Sequence, residues 1–233
     1  MSNIRTPALA LALLLSSGLA LAAPKQVKLT YEATRNGQAF ANVTETYQQE
    51  GNRYRIESVT KGVGVYALFG ERRLTSEGEV TAQGLKPEHF ELHQGDNEKR
   101  SLYTDFDWKA SQLTMKVKGK PNSVALEPGT QDLSSFIYQF MFTPPSGEEL
   151  NLPVTTGKKL RNYHYKITAK AEQLETPAGK FKVMHLEDAD KDAAEDGKEF
   201  WLGVDQHYLP VKLMMLDDKG YKIEQVLTSI NVE

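Results

Sequence analysis

The chain has 233 residues, 28 Lys and Arg against 31 Asp and Glu, and no cysteine. A near-neutral balance without a basic stripe argues against a nucleic-acid partner, whose phosphates call for clustered cations. The absence of thiols excludes disulfides, cysteine nucleophiles and a lipid-anchoring cysteine, so stability in an oxidising compartment must come from a packed core, which a chain this long can supply.

Residues 1–22 place Arg5 and the terminal amine ahead of an apolar run over residues 8–21, with Ala20-Leu21-Ala22 before Ala23-Pro24. This is the pattern of a secretory signal peptide with a small-residue cleavage site. The apolar run is short of the roughly 20 residues that span a bilayer. Cleavage after Ala22 is therefore expected, leaving residues 23–233 as a soluble periplasmic protein without a membrane span, read as a single mostly-β domain.

From residue 27 the chain alternates. Val27, Leu29, Tyr31 and Ala33 share one face, Arg35-Asn36-Gly37-Gln38 forms a turn, and further strands are predicted over residues 40–47, 53–60, 73–80, 86–94, 100–107, 113–118 and 124–126. Residues 61–70 break the alternation with Gly62, Gly64 and Gly70 around an apolar cluster of Val63, Val65, Tyr66, Leu68 and Phe69. The cluster either folds into the core or forms an apolar lip over a ligand cavity, and these five residues are the candidate ligand-binding set.

Residues 131–142, QDLSSFIYQFMF, are the one segment with helical spacing: Leu133, Phe136, Ile137, Phe140 and Met141 fall on one stripe. Asp132 stands where an N-cap belongs, and Thr143-Pro144-Pro145 stops the helix. A short amphipathic helix needs a surface to cover, so the expected architecture is a curved antiparallel sheet or half barrel packed around it. Strands over residues 150–154, 160–171, 180–188, 198–203, 208–216 and 221–232 complete the chain, with Pro210 marking a strand start or an edge.

In the second half, Glu175-Thr176-Pro177-Ala178-Gly179-Lys180-Phe181, Phe200-Trp201-Leu202 and Asp205-Gln206-His207-Tyr208-Leu209-Pro210-Val211-Lys212 stand out. With Gln131-Asp132-Leu133-Ser134-Ser135 and the hairpin from Tyr31 to Gly37, they resemble the exported bacterial family known as domain of unknown function 3108. The resemblance covers nearly all of residues 23–233 and implies a periplasmic or cell-surface protein; it carries no catalytic residue. A looser resemblance, at the level of strand count and one plugging helix, is to periplasmic lipoprotein carriers, whose single sheet curls around helices.

No catalytic motif, cofactor signature or metal site is read from the residues. His89 and His93 share a strand face with Glu91, but four strand residues separate them by roughly 13 Å, too far to chelate together. No G-x-S-x-G or G-x-x-x-x-G-K pattern occurs. Asp188, Asp190, Asp192 and Glu199 partly match a calcium loop, yet Ala193 stands where glycine is required. Three functions stay open: a non-enzymatic binding protein that carries or chaperones a lipid or other apolar ligand in envelope maintenance, an interaction scaffold without a cavity, and a hydrolase assembled from scattered residues.

The leader pattern makes a direct prediction: the protein released from the periplasm by osmotic shock should begin at Ala23 by intact-mass analysis. A membrane-bound product that retains Met1 would contradict it.

Overall fold

The structure, a computed structural model, describes residues 23–190, 198–217 and 219–233. The signal-peptide reading thus lies outside the described residues. Eight strands precede the helix: β1 Gln26–Arg35, β2 Gln38–Glu50, β3 Arg53–Gly62, β4 Arg72–Thr81, β5 Gly84–Gln94, β6 Leu102–Asp107, β7 Gln112–Val117 and β8 Lys120–Ala125. A two-residue strand, β9 Gln131–Asp132, leads into the helix α1 Ser135–Tyr138. Six more strands follow: β10 Glu149–Thr155, β11 Leu160–Thr176, β12 Gly179–Asp188, β13 Lys198–Gly203, β14 Leu209–Leu216 and β15 Lys222–Val232.

All fifteen strands belong to one open curved sheet, in the order β8-β7-β6-β5-β4-β3-β2-β1-β15-β14-β13-β12-β11-β10-β9. The first and last strands pair at its centre, from Val27 opposite Val232 to Arg35 opposite Ile223. Two hairpin meanders spread outward from that seam, and apart from the parallel β9–β10 pair every neighbour is antiparallel. The two outermost strands, β8 and β9, are joined by residues 126–130 alone. Five residues reach at most about 18 Å, so the sheet must curl until its edges face one another. Side chains then bridge the gap that backbone pairing leaves open, as where Thr155 Oγ1 on β10 donates to Met115 Sδ on β7 at 3.4 Å.

Alternation along each strand sends Leu29, Tyr31, Val43, Tyr47 and Ile56 into the main core with Leu202, Val211 and Leu227. A smaller cluster of Leu74, Phe90, Phe106, Leu113 and Met115 lies under β4–β7. Pro210, second in β14, sits at a bulge opposite Leu202, where its missing donor costs little, and its carbonyl accepts the Tyr31 hydroxyl at 2.9 Å.

The segment over residues 131–142 is helical for less of its length than its spacing predicts. Gln131 and Asp132 pair with Val154 and Thr155, α1 spans only Ser135–Tyr138, and a 3₁₀ turn, Gln139–Met141, ends it. The reason is the cap. Asp132 Oδ1 accepts the N–H groups of Ser134 and Ser135, both at 2.8 Å, while Ser135 Oγ accepts the Asp132 N–H at 2.9 Å. This reciprocal cap satisfies donors that would otherwise be buried unpaired, and it lets helix begin only at residue 135. Phe136, Ile137, Tyr138, Phe140 and Met141 are all buried, so burial extends beyond the one stripe that the spacing marks.

Two glutamines dock this segment onto β5. Strand β6 pairs with β5 only from His89 to Leu92, which leaves the Leu85 backbone without a strand partner on that side. The Leu85 N–H donates to Gln139 Oε1 at 2.6 Å and its carbonyl accepts Gln131 Nε2 at 2.9 Å. A side chain on Gly84, which has φ of 98°, would occupy the Gln139 amide itself.

Asp132 is fully buried, and Ser76 Oγ on β4 donates to its Oδ2 at 2.6 Å. Burial pushes the carboxyl up to about 6, against the opposing pull of its hydrogen bonds from Ser76, Ser135 and Ser134. A folded pKa above the unfolded value favours the native state below the unfolded pKa, and that advantage is lost as pH rises through the folded one. Asp132→Asn removes this titration. Relative to wild type it should therefore gain about 2 kcal/mol between pH 4 and pH 6.5 in denaturant unfolding. Asp132→Ala, which loses the cap and leaves the Ser76 hydroxyl only Tyr54 as a partner, should cost roughly 2–4 kcal/mol at pH 7. Parallel pH profiles for wild type and Asp132→Asn would refute the assignment.

Candidate functional site

A cavity of about 640 Å³ lies on the concave side, walled by β2–β4 and β13–β15 and floored by Phe136, Ile137 and Tyr138 of α1. Its origin is legible in β3. The inward positions along that strand after Ile56 are Ser58, Thr60 and Gly62, which are too small to reach the helix, so the curved sheet leaves space there. Leu74, Phe200, Leu213, Met215 and Ile223 are among the remaining apolar residues that line it.

Three polar features face this space. Glu45 Oε1 accepts the Ser58 hydroxyl and Oε2 accepts the Tyr138 hydroxyl, each at 3.2 Å. Burial raises the Glu45 pKa, which the two hydrogen bonds only partly offset. The same burial, with Glu45 nearby, holds the Tyr138 phenol well above its usual value. At the rim Arg35 binds Asp217 Oδ2 through Nη2 at 2.5 Å and Nε at 3.0 Å, its guanidinium 3.9 Å from the Tyr221 ring centre. Arg72, at the start of β4, also lines the cavity, and burial lowers its pKa.

The apolar segment over residues 63–69 stands at the opening as a 3₁₀ turn, Gly64–Phe69, with no buried residue, so it does not fold into the core. Tyr66 and Phe69 line the cavity. Val65 and Leu68 do not, and with Phe69 they are exposed at 72, 88 and 66 %. Val63 is half-buried at the base of the turn, where its N–H donates to the Phe40 carbonyl at 3.0 Å. Tyr66 packs edge-on against Phe40, ring centres 4.8 Å apart, and Gln94 Nε2 donates to the Phe69 carbonyl at 3.3 Å. Gly62 permits the fold-back, since a Cβ there would overlap the Tyr66 carbonyl.

Other polar clusters lie away from the cavity. Glu91 joins the two histidines beside it, with His89 Nε2 2.7 Å from Oε1 and His93 Nε2 2.8 Å from Oε2. Burial alone would lower the His89 pKa, but Glu91 and Asp105 more than reverse it. Sequence spacing did not reveal a second set. His185, Glu187 and Glu199 meet across the β12–β13 hairpin with ligand atoms within 4.8 Å, a group of the right chemistry for a divalent cation. The only signal was their placement on either side of one hairpin loop. The His185 ring stacks on Trp201 at 4.1 Å, and Lys212 lies 4.7 Å from the centre of that indole. Of the suggested calcium loop, residues 191–197 lie outside the described residues. Asp188 is buried and accepts the Asp190 N–H at 2.9 Å, and Glu199 faces His185. Ser134 and Ser135 serve the helix start.

The family described as "Protein of unknown function (DUF3108)" matches residues 26–226. No functionally curated protein matches the chain in sequence. Among solved structures, the chain is similar to a β-barrel-like protein of domain of unknown function DUF1849 from Brucella abortus. That likeness is 11% identical over 91% of this chain and 99% of that one, with a TM-score of 0.59. A weaker likeness, TM-score 0.38 and 10% identity over 89% and 96% of the two chains, is to a Bacteroides fragilis protein described as exported and of YmcC-like fold. The Brucella likeness concerns the fold alone.

Because none of the turn's residues is buried, its anchoring should be separable from global stability. Gly62→Val should detach it, shortening the half-time of chymotryptic cleavage at Tyr66 or Phe69 several-fold while the melting temperature falls by only about a few degrees. Unchanged cleavage would show that the close approach at Gly62 does not hold the turn.

Proposed function

We propose that this chain, which belongs to the DUF3108 family of proteins of unknown function, binds an apolar ligand in the cavity of its curved sheet and carries or shields it in the periplasm. The observation that supports this reading most is the cavity itself. At about 640 Å³ it falls within the roughly 300–1,000 Å³ of small-molecule sites. Aliphatic and aromatic side chains from both halves of the sheet wall it. Its size suits one small molecule rather than a folded partner.

In this reading Tyr66 and Phe69 hold the ligand at the mouth, while Val63, Val65 and Leu68 complete the apolar lip that a ligand crosses on entry. The leader pattern of residues 1–22 supports export, and the unbroken sheet supports treating residues 23–233 as one domain. The rival scaffold reading needs a sheet edge that accepts another strand. The edge strand β8 carries Lys120 and Pro121, residues that blunt such pairing, and the other edge, β9, is only two residues long and buried.

An apolar dye that fluoresces on burial should bind the mature protein saturably with a stoichiometry near one. Thr60→Trp, which projects bulk into the cavity from β3, should weaken dye binding about tenfold or more while the protein still melts cooperatively. Leu68→Asp should leave the melting temperature within about 2 °C of wild type, as expected of an exposed residue, yet reduce binding. Absence of saturable binding by the wild type would overturn the proposal.

A further inference from the structure

We infer that the ligand is an amphiphile whose anionic head, a carboxylate or phosphate on a long alkyl chain, is bound by Arg72; this rests on the apolar-ligand reading above. Arg72 begins β4 two residues after Gly70, at the mouth of the cavity, with Thr60 on β3 and Gln94 on β5 as its cross-strand neighbours. Among the described residues it has no ion-pair or hydrogen-bond partner. The arginines on the neighbouring strands β1, β3 and β4 are paired: Arg35 with Asp217, Arg53 with Glu88, Arg55 with Glu77, and Arg73 with Glu57.

A guanidinium stays charged at any physiological pH, and a charge drawn out of water without a counter-ion is unfavourable. The fold nonetheless leaves this one half-buried at the mouth of an apolar cavity that Leu74 also lines. Its planar fork of donors matches a carboxylate or a phosphate in a bidentate arrangement. Arg100, exposed at the same mouth and likewise without a carboxylate partner among the described residues, adds positive potential where the head would sit.

The remaining polar groups orient the ligand the same way. Asp217 is paired with Arg35 and so repels the head less, while Lys198, 5.4 Å from the Tyr163 ring centre, stands across the cavity on β13. Glu45 lies deeper, beside Ser58 and Tyr138, where it would repel a second anion. The chain would therefore run inward along Ile56, Ile137 and Phe200, and the head would stay beside Arg72 and water.

The test uses three twelve-carbon probes below their micelle concentrations at pH 8, dodecanoate, dodecyl phosphate and dodecanol, each displacing the dye from the mature protein. Wild type should bind one or both anions at least tenfold more tightly than the alcohol, and the tighter anion identifies the head. Arg72→Met should lose that preference while keeping its affinity for dodecanol, and Arg72→Lys should retain part of it. Equal affinity of wild type for all three probes overturns the assignment to Arg72 and leaves the apolar cavity standing. Failure of every probe and of the dye overturns both. Should Arg72→Met fail to fold, the wild-type ratio of anion to alcohol decides alone.

Discussion

One buried carboxylate organises the concave side of this protein. Asp132 closes the β9 bridge, caps α1 through two backbone N–H groups and takes the hydroxyl of Ser76 from the far half of the sheet. Each contact answers a separate need: the orphan donors of a helix start, the end of a short strand, and a serine with no water to reach. Burying a carboxylate is unfavourable, as its raised pKa records, and only this full set of partners makes the position tenable. Displacing Asp132 would shift α1 and, with it, the Phe136–Tyr138 floor of the cavity.

Curvature is the second constraint, and it comes from connectivity. Two meanders that share a central seam would lie open if the link between their outer edges were long. Five residues between β8 and β9 leave no such freedom, so the sheet curls and the helix that follows is delivered into its hollow. The cavity is what the helix does not fill, because Ser58, Thr60 and Gly62 present little bulk where larger residues would have met it.

Much of this was legible in the residues. All fourteen strands expected from alternation and turn chemistry are present, because half-buried antiparallel strands advertise themselves by a period of two. The helical stripe over residues 131–142 was also visible, but the helix is shorter than its pattern. Spacing cannot show that the Gln131 and Asp132 backbones are already committed to β10, or that Asp132 is inside rather than at a solvent-exposed cap. The apolar cluster over residues 63–69 could be located but not placed: composition does not distinguish a buried loop from an exposed turn. Arg72 and the trio of His185, Glu187 and Glu199 were not seen at all. Their significance lies in which strands stand opposite one another, and no local pattern encodes that.

The pairing of the first strand with the last also bears on the order in which the molecule can assemble. While the chain emerges in sequence, β1 to β8 can zip together hairpin by hairpin, yet one flank of β1 remains an open edge until β15, the final strand, arrives. Long-range closure of this kind is slow, and an open edge invites wrong pairings. Late closure therefore holds the hollow open, and keeps any site within it unformed, until β15 has taken its place beside β1.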